Sequence, residues 1–190
     1  MRMRYLGDSY DIVKQSLLRW LKDFGAWSVH PMFTEVVPQS DIAAFELLLD
    51  AKVISTEILR TDTDRSVYLG CGSSCGHLFL DPDTGLRMRT SRGARAPQFL
   101  FAAELKKLAE QRPNRLTLVF DQCVGRGAER DHLTAKLAEL REHGVLGWAY
   151  VSHACFIMAC RDADLLAHAR AQVLARSHLP ESRILSLPSS

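Results

Sequence analysis

Residues 77–85 read HLFLDPDTG. Leu78, Phe79 and Leu80 form an apolar run without polar alternation, stopped by Asp81-Pro82. That pattern predicts a short parallel strand covered on both faces. Pro82 fixes the backbone after Asp81, and Gly85 permits a sharp turn. Further along, Arg115–Phe120 (RLTLVF) predicts a second strand, followed by Asp121-Gln122 and the glycine-containing run CVGRG. If the two strands are neighbours, Asp81 and Asp121 lie near one another at adjacent carboxyl ends. In open α/β sheets, ligands bind at such ends.

Working outward, helices and strands alternate. Tyr10, Val13, Leu17, Leu18 and Leu21 recur at helical spacing, predicting a helix over 9–23 that Gly25 ends. Trp27–Phe33 is read as a strand whose end is marked by Pro31. Ser40 and Asp41 cap a helix through Phe45 and Leu49, and Lys52–Leu59 is read as a further strand. Thr61–Gly76 is rich in turn formers and is read as a loop around a short strand at Val67–Leu69. A polar, arginine-rich loop is expected over Leu86–Pro97, then helices over Phe99–Glu110 and Glu129–His143. Val145–Val151 and Cys155–Cys160 are strand-like and separated only by Ser152-His153-Ala154. So short a connection must reverse the chain, which predicts an antiparallel hairpin. A helix over Asp164–Arg176 and a short strand at Arg183–Leu187 complete the pattern. The expected fold is α/β: three layers around a mostly parallel sheet that ends in an antiparallel hairpin, as one domain over 1–190.

With 47% hydrophobic and 24% charged residues the composition is globular, so a substantial core is expected and wholesale disorder is not. Lys and Arg number 24 against 22 Asp and Glu, a net charge of +2. Bulk charge therefore does not indicate nucleic acid; such a partner must be argued from local patches. The opening MRMRYLGDSYDIVK has no signal-peptide character, and no apolar run is long enough to span a bilayer. Five cysteines, an odd number, are read as reduced thiols of a cytoplasmic protein.

Several constellations could carry chemistry. Asp81 and Asp83 share the DPDTG corner and are the leading catalytic candidates, with Asp121 as a third. Clustered carboxylates bind divalent metal or raise one another's pKa; the plainer reading is that they cap local amides. Asp8, Asp11 and Lys14, in GDSYDIVK, adjoin one face of the first helical turn, where acids also suit the positive helix end. Arg87, Arg89, Arg92 and Arg95 directly follow DPDTG and can engage phosphates, although such runs are more often solvated loops. Ser152-His153 offers a hydroxyl beside an imidazole but lacks a nucleophile elbow, so a structural turn is favoured. Cys71-x-x-x-Cys75-x-His77 offers three zinc ligands without a fourth. Cys123, Cys155 and Cys160 are most simply buried thiols.

The opening G-D-x-x-D-x-x-K, with Leu17 and Leu18 behind it, resembles the N-terminal signature of bacterial large-subunit ribosomal RNA adenine-N6 methyltransferases. DPDTG stands where those enzymes carry D-P-P-Y. More closely, the chain resembles a set of uncharacterised bacterial proteins with G-D-x-x-D-x-x-K (7–14), a W-x-x-x-x-x-T strand (Trp27–Thr34) and F-x-D-P-D-x-G (Phe79–Gly85). The resemblance implies a Rossmann-like methyltransferase fold, S-adenosylmethionine as cofactor and nucleic acid as partner, with Asp8, Asp11 and Lys14 framing the cofactor pocket. Two departures stand out. The segment after the first strand, HPMFTEVVP, has no glycine, and Asp83 and Thr84 replace the Pro and the base-stacking Tyr.

Three functions compete at this point. The first is a methyltransferase-related protein acting on nucleic acid. The second is a Mg²⁺- or Mn²⁺-dependent nuclease or phosphoesterase, which requires at least three of Asp8, Asp81, Asp83 and Asp121 within metal-bridging reach. The third is a catalytically inactive scaffold for a protein or nucleic-acid partner.

Overall fold

The computed structural model of the protein describes residues 5–71, 76–122, 124–125 and 127–188. Among these, nine strands and six α-helices alternate: α1 (Ser9–Trp20), β1 (Trp27–His30), α2 (Gln39–Leu49), β2 (Lys52–Val53), α3 (Arg65–Gly70), β3 (His77–Leu80), β4 (Gly85–Arg87), β5 (Phe99–Phe101), α4 (Ala102–Gln111), β6 (Thr117–Phe120), α5 (Glu129–Glu142), β7 (Leu146–Tyr150), β8 (Phe156–Cys160), α6 (Ala163–Ser177) and β9 (Ile184–Ser186).

Seven of these strands make a mixed sheet in the order β2-β1-β3-β6-β8-β7-β9. β2, β1, β3 and β6 are parallel, with Leu80 opposite Val119 across β3 and β6. β8 runs antiparallel to both β6 and β7, which makes β7–β8 the expected reversed hairpin. The fold is therefore α/β with a parallel first half and an antiparallel second half. Every residue of β3 and β6 is buried, because helices cover both faces. One face packs Phe79, Leu118 and Phe120 under α1, α2 and α6 through Leu17, Leu18, Phe45, Ala169 and Val173. The other packs Leu78, Leu80 and Val119 under α3, α4 and α5 through Leu69, Leu105, Leu133 and Leu137. Each fully buried Leu or Phe contributes about 1.5–3 kcal/mol by removal from water, so these two layers hold the strand ends in place.

Local chemistry explains where the sequence reading and the structure differ. Val67–Leu69 is helical, not extended: Asp64 caps α3 by accepting from the Ser66 and Val67 amides. The helix expected from Phe99 begins only at Ala102. Phe99, Leu100 and Phe101 instead pair in parallel with Gly85, Leu86 and Arg87, and Glu104 accepts from the Phe101 amide at the helix start. Lys52–Leu59 contributes strand only at Lys52–Val53. No helix among the described residues is long and apolar enough to cross a membrane.

Candidate functional site

β3 and β6 carry their acids to the same sheet edge, but the pleat sends them to opposite faces. Successive side chains of a strand alternate in direction. Asp81 therefore follows Phe79 onto the α1 face, and Asp121 follows Val119 onto the α5 face. Each meets a lysine there.

On the α1 face, Gly7 turns at φ +84° and Asp8 caps the helix, accepting from the Tyr10 and Asp11 amides at 2.9 and 3.1 Å. Leu17, Leu18 and Leu21 anchor α1 in the core, which fixes its first two turns over the end of β3. Lys14 Nζ donates to Asp11 Oδ1 and to Asp81 Oδ2, both at 2.8 Å, and all three residues are buried. Asp11 Oδ2 accepts from the Gly7 amide. The other Asp81 oxygen has no hydrogen bond among the described residues. Burial alone would lower the Lys14 pKa, but the flanking Asp81 and Asp11 carboxylates outweigh it and raise it. Burial holds Asp81 above the ordinary carboxylate range, with the Lys14 charge offsetting only part of that cost.

These groups open on a cavity of about 390 Å³. Asp8, Asp11, Lys14, Asp81, Asp83 and Thr84 line it, together with Tyr5, Tyr10, Phe120, Gln98 and Gln122. Asp83 also accepts from Thr34 Oγ1 at 2.7 Å, tying DPDTG to the segment after β1. Tyr10 meets Phe120 edge-on, with ring centroids 5.9 Å apart. The sequence reading gave the cavity no aromatic wall, because the D-P-D-T corner has none. The wall comes from α1 and from the end of β6, and alternation along RLTLVF marks Phe120 as the residue sharing Asp81's face.

On the α5 face the chemistry closes on itself. Asp121 is 0% exposed; its Oδ2 accepts from Lys136 Nζ at 2.7 Å and its Oδ1 from the Leu86 amide at 3.1 Å. Lys136 also donates to the Leu86 carbonyl at 2.8 Å. Gly85, at φ +126°, lies so close that an added Cβ would sit 2.8 Å from Asp121 Cα. Asp121 thus stands apart from the Asp8–Asp11–Lys14–Asp81 group and binds the β4 backbone.

The arginine loop is rooted in the cavity wall. Thr84 and Gln98 both line the cavity, and the Thr84 amide donates to the Gln98 carbonyl at 2.9 Å, pinching off residues 85–97. Arg87, Arg89, Arg92 and Arg95 are all exposed on this excursion. The Arg87 guanidinium lies 4.3 Å from the Phe99 ring centroid, and Arg95 reaches Gln98 at 3.5 Å. Arg89 and Arg92 make no hydrogen bond or ion pair among the described residues. From α3, Arg65 clamps the base of the loop through Glu104 at 2.5 Å and the Phe99 carbonyl at 2.7 Å.

Other candidates serve the fold or lie elsewhere. Both His77 ring nitrogens are engaged, Nε2 with the Phe24 carbonyl and Nδ1 with the Leu116 amide. Cys75 and Cys123 lie outside the described residues; Cys155 and Cys160 are buried thiols, as expected. Ser152 closes its own turn by bonding both backbone groups of Ala154. Among the described residues no three His, Cys, Asp or Glu side chains are grouped to hold a metal ion. The segment after β1 buries Pro31, Met32 and Phe33, and Thr34 is bonded to Asp83. A glycine cradle of the kind that admits S-adenosylmethionine does not fit there. Comparison with protein-family models, with curated proteins and with solved structures finds no match to this chain.

Proposed function

We propose that this protein binds nucleic acid on a Rossmann-like, methyltransferase-related scaffold. In this reading an unstacked base enters the cavity at Asp81 and the arginine loop engages the adjoining phosphates. The observation that carries it is the unbonded Asp81 oxygen on a buried side chain facing that cavity. That oxygen is not one of the unpartnered side-chain atoms sealed from solvent, so the cavity wets it, and a ligand N–H or amino group, as on nucleobase edges, can take the place of water there. Tyr10 and Phe120 supply aromatic surface, and base stacking on such rings is tolerant of sequence. Thr84 and Gln98 join the cavity wall to four exposed guanidinium groups suited to phosphate. The reversed β7–β8 hairpin after a parallel sheet is also the arrangement of the methyltransferases that the opening motif resembles.

The residues present favour binding over methyl transfer, because the segment after β1 is packed with side chains where the cofactor's cradle would lie. The inactive-scaffold reading is thereby favoured over the metal-dependent one, whose three-carboxylate requirement is not met among the described residues.

The test is fluorescence anisotropy of a labelled single-stranded oligonucleotide across a salt series. Binding should weaken linearly in log salt, and the double variant Arg89→Ala/Arg92→Ala should reduce the slope by about 1.5. Asp81→Asn should weaken binding about tenfold at every salt without changing the slope, since it replaces one carboxyl oxygen of the base contact by an amide and touches no phosphate contact. Absence of binding at about 50 mM salt would reject the proposal.

A further inference from the structure

A second cavity, of about 550 Å³, lies beside the first and shares Tyr10 and Gln122 with it. Its remaining polar lining includes Glu129, Ser152 and His153 from the start of α5 and the β7–β8 turn. Asp121 borders it too but is fully buried in its pair with Lys136. The two cavities are joined by aromatic rings. Phe120 meets Tyr10 at 5.9 Å, and Tyr10 meets His153 at 5.3 Å with an interplanar angle of 49°. Phe120, Tyr10 and His153 therefore form a row that starts in the first cavity and ends at the second. Both volumes fall within the roughly 300–1,000 Å³ of small-molecule sites.

We infer that the second cavity is a seat for the nucleotide next to the one held at Asp81, so that the protein grips two consecutive bases along this aromatic row. The inference rests on the proposed nucleic-acid reading. The seat's chemistry differs from the first. His153 is exposed at the turn and presents ring surface, while Gln122 sits between the seats with an amide that can donate to one base and accept from another. Ser152 is satisfied within its own turn, so it shapes the wall and leaves recognition to His153 and Gln122. A row of rings with one shared amide suits sequence-tolerant holding of single strands better than readout of a duplex.

The experiment titrates the full chain with adenylate and cytidylate monophosphates and with the dinucleotides pApA and pCpC, by calorimetry at fixed salt. Each dinucleotide should bind about tenfold more tightly than its mononucleotide. In His153→Ala, an exposed-turn variant that should keep its circular dichroism melt, that ratio should fall to about two or less. Equal affinities for mono- and dinucleotides in the native protein, or a dinucleotide advantage unchanged in His153→Ala, would overturn the second seat and leave the first standing. Binding of neither class would overturn both.

Discussion

Two buried lysine–aspartate pairs stand on opposite faces of one sheet edge, and they do different work. In the Lys136–Asp121 pair both carboxylate oxygens are engaged and Gly85 closes over the carboxylate. In the Lys14–Asp81 pair one lysine serves two carboxylates, and one Asp81 oxygen faces a cavity without a partner. The first arrangement is complete and locks β4 to β6. In the second, one lysine is shared between two carboxylates and burial raises the Asp81 pKa, so the group stabilises the core poorly and leaves one oxygen open to a donor. Similar residues at equivalent strand ends thus become a rivet and, in the proposed reading, a site, and what separates them is whether the hydrogen bonding closes.

Breaking the closed pair should have the largest effect on stability. Lys136→Met leaves Asp121 buried without its cation and should cost about 3–5 kcal/mol in urea unfolding. Lys14→Met should cost less, because Asp81, held above its usual range by burial, can take up a proton instead. Equal losses in the two variants would erase the distinction. Next comes Gly85→Ala. A φ of +126° and a Cβ 2.8 Å from Asp121 Cα and Gln122 N make it incompatible with the closed pair, at about 2–3 kcal/mol by the same measurement.

Smaller and more selective is the pH dependence. Because the folded Asp81 carboxyl is raised above 3.8, its contribution to stability is fully present below that pH and is lost as pH rises through the raised value. Asp81→Asn should flatten this part of the stability–pH curve while leaving the Lys136–Asp121 side unchanged. A curve identical to that of the native protein would show that Asp81 titrates as an ordinary surface acid.

Much of this was legible in the residues. HLFL and the LVF end of RLTLVF are apolar on successive positions, as strands covered on both sides are, so both strands could be read; that they are neighbours stood only as a condition, which the structure meets. Helical spacing in 9–21 and the brevity of Ser152-His153-Ala154 likewise fixed α1 and the reversed hairpin. Elements were misread where a local cap or pairing outweighed composition. The turn formers of TDTDRSVYLG conceal an Asp64-capped helix, and FLFAAEL reads as helix until β4 claims its first three residues. At the site, spacing alone put Asp8, Asp11 and Lys14 on one helical turn; only the resemblance implied that they share a pocket with the DPDTG corner, where the structure has Lys14 bonded to Asp81. Joining Asp121 to them ignored the pleat: counting from Leu118 through Phe120 puts Asp121 on the far face. The same count reveals Phe120 as the aromatic wall. The lysine that captures Asp121 lies 15 residues away on α5, and no local pattern announces it.

The most direct test is amide chemical-shift mapping of the protein titrated with a short single-stranded oligonucleotide. Shifts concentrated at Asp8, Tyr10, Asp81, Thr84, Gln98 and Gln122, with Leu86, Leu133 and Lys136 unmoved, are the expected result. Shifts centred on Leu86 and Lys136, or an unchanged spectrum at saturating oligonucleotide, would contradict the assignment of the open pair as the binding site.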